Sequence, residues 1–127
     1  MAKTIMVVDD SASMRQVITL TLTKSGFEVV TAVNGKDALA KLVELQASKT
    51  RINLIITDVN MPQMDGITLV KEAKKMPSYK FTPMMMLTTE VSDAKKQEGR
   101  AAGAKAWLVK PFQPPVLLNA VSKLMLP

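Results

Sequence analysis

Cysteine and histidine are both absent from this sequence. Their absence removes thiol nucleophiles, disulfide frameworks and imidazole general bases. Zinc sites of the usual Cys/His kind are excluded too, leaving hard oxygen ligands of the sort that suit Mg²⁺, Ca²⁺ or Mn²⁺. Covalent chemistry on this chain therefore falls to carboxylate, hydroxyl or amine. Aromatic residues are scarce, with three Phe, one Tyr and one Trp, so no series of stacking rings accompanies the lysines. No apolar run approaches the ~18 residues of a membrane span.

What is present fits one ordered domain. A hydrophobic content of 47%, with seven prolines, opposes disorder, and 127 residues leave no room for a second folded domain. Residues 1–127 are thus expected to form a single unit. The first residues, MAKTIMVVDD, carry one Lys and run straight into acid, unlike a signal peptide. A cytoplasmic location is the default expectation. The formal charge of +6 invites a nucleic-acid reading. However, Lys36, Lys41, Lys71, Lys74, Lys75, Lys95 and Lys96 fall mostly on polar faces of expected helices, so neither nucleic acid nor membrane is expected as a partner.

The stretch from Asn53 to Gly66, NLIITDVNMPQMDG, organises the rest. Leu54, Ile55 and Ile56 suit a strand buried on both faces, and the run stops at Asp58. Pro62 ends any ladder, and Asp65-Gly66 supplies turn chemistry before a new periodic segment. A lone Asp at a strand end is more often punctuation than chemistry. The other strand ends change that reading.

Residues 4 to 8, TIMVV, read as a buried strand ending in Asp9-Asp10. Ser13 with Gln16 has the spacing of a capping box for a first helix, which Gly26 stops. Residues 27 to 32 form a second strand, and Asn34 can cap a second helix. After the central stretch, Ile67, Val70 and Ala73 mark a third helix, and residues 77 to 83 are expected as a loop. Met84 to Leu87 form a fourth strand finishing at Thr88-Thr89, its methionines read as core filling rather than a soft-metal site. Ser92 caps a fourth helix that lacks large apolar residues and contains Gly99, which costs ~1 kcal/mol against Ala. This helix is expected to be the least firmly docked. Ala106 to Val109 form a fifth strand ending at Lys110-Pro111, and Pro114-Pro115 start a last helix with a strong apolar stripe.

Five strands alternating with five helices, through connections too long for hairpins, predict a doubly wound α/β fold with parallel crossovers. In such a sheet the ligand crevice lies beyond the carboxyl ends of the strands. Four strand ends would then bring Asp9, Asp10, Asp58, Thr88 and Lys110 to one rim. Clustered carboxylates repel one another unless a cation binds between them, and Mg²⁺ suits such a site. Lys110 and Thr88 can contact an incoming phosphoryl oxygen, and the nucleophile left to the chain is a carboxylate.

Four segments, VVDD at 7 to 10, IITDVNMPQMDG at 55 to 66, LTTE at 87 to 90 and WLVKPF at 107 to 112, resemble response-regulator receiver domains over essentially the whole chain. In particular, they resemble single-domain, CheY-like chemotaxis regulators. The resemblance implies a flavodoxin-like (βα)5 sandwich with strand order 2-1-3-4-5. It implies Asp58 as phosphoacceptor, with Asp9 and Asp10 holding Mg²⁺, for which Mn²⁺ can substitute, and the Asn60 backbone carbonyl completing the metal site. Thr88 and Lys110 would follow the phosphoryl group, and Lys110-Pro111 would be cis. Asn60 and Glu90 would tune dephosphorylation. Trp107 stands where the family usually has Tyr or Phe, so its inward switching is open beside a plain packing role. Thr89 replaces a smaller residue and would narrow access to Asp58.

The implied protein is a phosphoacceptor switch of a two-component system, catalysing only its own phosphorylation and autodephosphorylation. Its partners would be a CheA-like histidine kinase and a flagellar switch protein or phosphatase, with the chain itself a monomer. Alternatives are a phosphate sink, a receiver fragment of a longer regulator, a Mg²⁺-dependent aspartyl phosphohydrolase and a DNA-binding regulator. No length remains for a substrate cap, and no helix-turn-helix remains once the strand-helix units are assigned.

Overall fold

The computed structural model describes residues 2–89 and 92–125. Its elements follow the expected alternation: β1 (Thr4–Val8), α1 (Ala12–Lys24), β2 (Glu28–Ala32), α2 (Gly35–Ala47), β3 (Leu54–Thr57), α3 (Gly66–Lys74), β4 (Met84–Thr88), α4 (Asp93–Ala102), β5 (Ala106–Val109) and α5 (Pro114–Leu124). The sheet has five strands in the order β2-β1-β3-β4-β5, and every neighbouring pair is parallel. This is the doubly wound α/β fold that the sequence predicts, in the flavodoxin-like strand order that the resemblance implied.

Strand alternation divides the core into two layers. Met6, Val8, Ile55, Met84 and Met86 face one way, with Ala38 and Leu42 of α2 and Leu69, Val70 and Ala73 of α3. Ile5, Val7, Leu54, Ile56, Met85 and Leu87 face the other way, meeting Ile18 and Leu22 of α1 and Leu117 and Val121 of α5. Because both faces are covered, β1, β3 and β4 are buried along their whole length. The methionine run fills both layers, as expected of core residues.

Three local expectations are corrected. The N-cap of α1 is Ser11, whose Oγ accepts from the Met14 amide at 3.3 Å, rather than Ser13. Asp9 Oδ1 accepts the Ser11 amide at 2.9 Å, so the helix starts sooner than the capping-box spacing suggests. Asp65 is the N-cap of α3, its carboxylate accepting the Thr68 amide at 2.7 Å, with Gly66 already helical. Within the expected loop, Pro77–Tyr79 form a 3₁₀ turn because the buried Tyr79 hydroxyl donates to the Leu42 carbonyl at 2.6 Å. Asn34 and Ser92 cap α2 and α4 as expected.

In α4 the single buried residue is Gly99. A Cβ built there would lie 3.0 Å from Trp107 Cζ3 on β5. The glycine that weakens α4 therefore makes the seat for the indole. No helix among the described residues is long and apolar enough to cross a membrane.

Candidate functional site: the acidic rim

Parallel pairing delivers the ends of β1, β3, β4 and β5 to one edge, and the predicted rim residues come with them. Asp9 follows β1 and is buried, Asp10 is exposed, and Asp58 follows β3 and is partly buried. One carboxylate oxygen from each lies within 4.8 Å of the others. Thr88 closes β4 and is fully buried, and its backbone carbonyl accepts the Lys110 amide at 2.8 Å. That bond extends the β4–β5 ladder and sends the Lys110 side chain back over the rim. The Lys110-Pro111 bond is cis, as the resemblance implied.

The ammonium of Lys110 donates to Asp9 Oδ2 at 2.6 Å and stands 3.5 Å from Asp58 Oδ2. Asp58 Oδ1 accepts the Val59 amide at 2.8 Å. Burial pushes the Asp58 carboxyl above the ordinary carboxylate value. The Lys110 charge opposes that rise, the Asp9 charge adds to it, and hydrogen bonds from Thr88 and the Val59 amide lower it again. A carboxylate held this way is partly stripped of water yet faces a cation, an arrangement frequent at reacting groups.

The donor set fits a hard divalent cation. All three side chains offer carboxylate oxygen, they converge closely, and among the described residues Lys110 is the cation that ion-pairs with them, reaching Asp9 and Asp58. Asn60 is exposed, two residues beyond Asp58. Glu90 lies outside the described residues. Trp107 is half-buried against the layer that contains Met86, and Thr89 is exposed.

Sequence reasoning missed two residues that shape the rim, Arg15 and Thr57, and gave Gly66 only as part of a turn. Arg15 Nη1 donates to the Asp9 carbonyl at 2.6 Å, tying the β1–α1 connection to the first turn of α1. Its signal was an Arg six positions past Asp9, one helical turn beyond the cap. Thr57 Oγ1 donates to the Asp58 carbonyl at 2.9 Å. Gly66 sits so close that an added Cβ would overlap that same carbonyl, and its amide donates to Val59 O at 2.8 Å. The Asp-Gly pair is therefore a clamp on the acceptor loop as well as a helix start.

Comparison with known proteins agrees with this geometry. Residues 5–122 match the profile described as response regulator receiver domain. The chain is 37% identical over 117 residues to protein PilG of Pseudomonas aeruginosa, covering 92% of this chain and 83% of that one. It is 40% identical over 114 residues to chemotaxis protein CheY1 of Helicobacter pylori, covering 89% of each. The crystal structure of chemotaxis protein CheY4 of Vibrio cholerae, obtained at low pH, superposes with a TM-score of 0.89 at 49% identity, covering 98% of this chain and 99% of that one. Receiver domains are phosphoacceptor switches that bind Mg²⁺ at an acidic pocket, and CheY-like ones are phosphorylated by histidine kinases and act on downstream targets. With its parallel sheet, its converging carboxylates and its matching profile, this chain belongs to the response-regulator receiver family.

Proposed function

We propose that the chain, as one receiver domain over residues 1–127, is a phosphorylation-dependent switch of chemotaxis, with Asp58 as its phosphoacceptor. The observation that carries this reading is the approach of Lys110 to both Asp9 and Asp58 beside a third carboxylate, Asp10. A carboxylate oxygen of Asp58 attacks the phosphorus of a phosphohistidine on a CheA-like kinase. The phosphorus–nitrogen bond breaks, imidazole leaves with the bonding pair, and an acyl phosphate forms on Asp58. The donor imidazole must be external, since this chain has no His.

Asp9, Asp10, Asp58 and the Asn60 backbone carbonyl are the groups that would hold Mg²⁺, or Mn²⁺ in its place. When bound, the cation offsets the negative charge gathered on the phosphoryl oxygens. Lys110 holds a positive charge at the same place, and Thr88 offers a hydroxyl to a phosphoryl oxygen. Hydrolysis of the acyl phosphate by water returns Asp58 to its carboxylate, at a rate set by Asn60 and Glu90. Added charge on Asp58 draws on Thr88 and Lys110, which end β4 and precede the cis proline, and so biases α4, β5 and Trp107 between two states. A downstream protein that prefers one state reads the signal, a flagellar switch protein being the expected reader and a phosphatase its antagonist. The switch works as a cytoplasmic monomer.

The test is phosphotransfer from a labelled, autophosphorylated CheA-type kinase fragment. Label should pass from the kinase to the wild-type chain and not to Asp58→Asn. Label that stays on the kinase with the wild-type chain present would contradict the proposal.

A further inference from the structure

The end of the sheet opposite Asp58 carries a second set of features. Residues that precede β3 and β4 gather there because the strands are parallel. Tyr79, bonded to the Leu42 carbonyl, fixes the Pro77–Tyr79 turn against α2. Asn53 is held as well, its side chain accepting the Thr4 amide at 2.9 Å. On this fixed base Phe81 is 88% exposed, with the Lys80 ammonium 5.6 Å from its ring centroid. Two adjoining concavities lie at this pole, the smaller of them lined by Phe81. One, of about 370 Å³, lies along Lys49, Arg51 and Tyr79. The other, of about 180 Å³, lies between Ile52, Pro77, Phe81 and Pro83. They share Arg51, Ile52 and Ser78, and no Asp or Glu lines either. Among the described residues, Lys49, Arg51 and Lys80 enter no ion pair.

We propose that this pole docks an acidic peptide segment of a partner protein. An apolar side chain enters the cleft between Ile52, Pro77, Phe81 and Pro83, and flanking carboxylates pair with Lys49, Arg51 and Lys80. Charge complementarity selects an anionic partner, and the guanidinium of Arg51 offers two-pronged pairing to a carboxylate. Concavity selects a peptide over an anionic membrane, which takes an amphipathic convex face. A nucleic acid duplex calls for a longer track of cations than three. An exposed aromatic beside a cleft is the type of anchor on which binding energy concentrates. Because Asp58, Thr88 and Lys110 lie at the other end of the strands, this contact is independent of phosphorylation. It acts as a tether that raises the local concentration of the switch beside its partner.

The experiment is a titration of the ¹⁵N-labelled full chain with a synthetic peptide of Glu triplets separated by Leu, followed by amide shifts. Shifts should concentrate at residues 49–52 and 78–82 and weaken with added salt. Affinity should change less than about twofold with beryllofluoride and Mg²⁺, and fall about tenfold in the double variant Arg51→Glu, Phe81→Ser. That variant should keep its circular dichroism spectrum and its labelling by acetyl phosphate. Absent shifts, shifts confined to α4 and β5, or shifts produced by phosphatidylglycerol vesicles or a DNA duplex while the peptide produces none would overturn the proposal. Peptide shifts that persist in a chain that takes no phosphate would leave the tether standing and remove the phosphoacceptor reading instead.

Discussion

Lys110 donates to Asp9 Oδ2 at 2.6 Å across 101 residues of chain, and only 10% and 3% of the two side chains are exposed. The other oxygen of Asp9 accepts the Ser11 amide, while its carbonyl accepts Arg15. Asp9 is thus engaged at three points, whereas Asp10 next to it is exposed. The two adjacent acids divide the work: Asp9 ties α1 and Lys110 to the rim, and Asp10 presents a carboxylate to solvent.

Removing the lysine tests that division. Lys110→Ala leaves a buried carboxylate without its cation and should cost about 2–4 kcal/mol at neutral pH. Urea unfolding measures it, and added Mg²⁺ should restore part of the loss by binding the folded acids. An unchanged urea midpoint would mean that the buried pair contributes nothing.

Asp58 should be a cost to stability. Burial raises its carboxyl above the ordinary 3.8 in the folded chain. The folded state therefore favours the neutral form, a contribution present in full below the ordinary value and lost as pH rises through the raised one. Asp58→Asn should raise stability near neutral pH, seen as a higher Tm. The gain should shrink toward zero in acid. Thermal unfolding at both pH values reads it, and a lower Tm for the variant at neutral pH would reverse the argument.

Gly99 and Trp107 should be coupled. In a free helix Gly→Ala gains ~1 kcal/mol, yet here the new Cβ would meet Cζ3 of Trp107 at 3.0 Å. Gly99→Ala should bring no rise in Tm and should shift the indole emission. In a Trp107→Phe background the gain should return, giving a coupling of about 1 kcal/mol in a double-mutant cycle. Equal effects in both backgrounds would show that the indole does not constrain α4.

Gly66→Ala should be more severe. The added methyl would overlap the Asp58 carbonyl, which Thr57 also holds. The acceptor loop must move or α3 must start later, so Tm should drop by several degrees and phosphorylation should be lost. Normal labelling by acetyl phosphate in this variant would show that the clamp is dispensable.

The rim was legible in the sequence because parallel topology sends every strand end to one side. Locating the apolar runs of TIMVV, LIIT and MMML was enough to bring Asp9, Asp58 and Thr88 together. What escaped were choices made by tertiary contact. Ser13 has the better local capping pattern, but Asp9 takes the Ser11 amide and starts α1 earlier. Gly99 reads as a weakness in α4 until Trp107, on a different element, is seen to occupy its missing side chain. Likewise nothing local in PSYKFTP announces a buried Tyr79, because its partner is a carbonyl 37 residues away.

The most direct test of the account is the mass of the intact chain after incubation with acetyl phosphate and Mg²⁺. The wild-type chain should gain one phosphoryl group, with the modification at Asp58, and Asp58→Asn should gain none. A phosphoryl group on Asp58→Asn equal to that on the wild type would contradict the central claim.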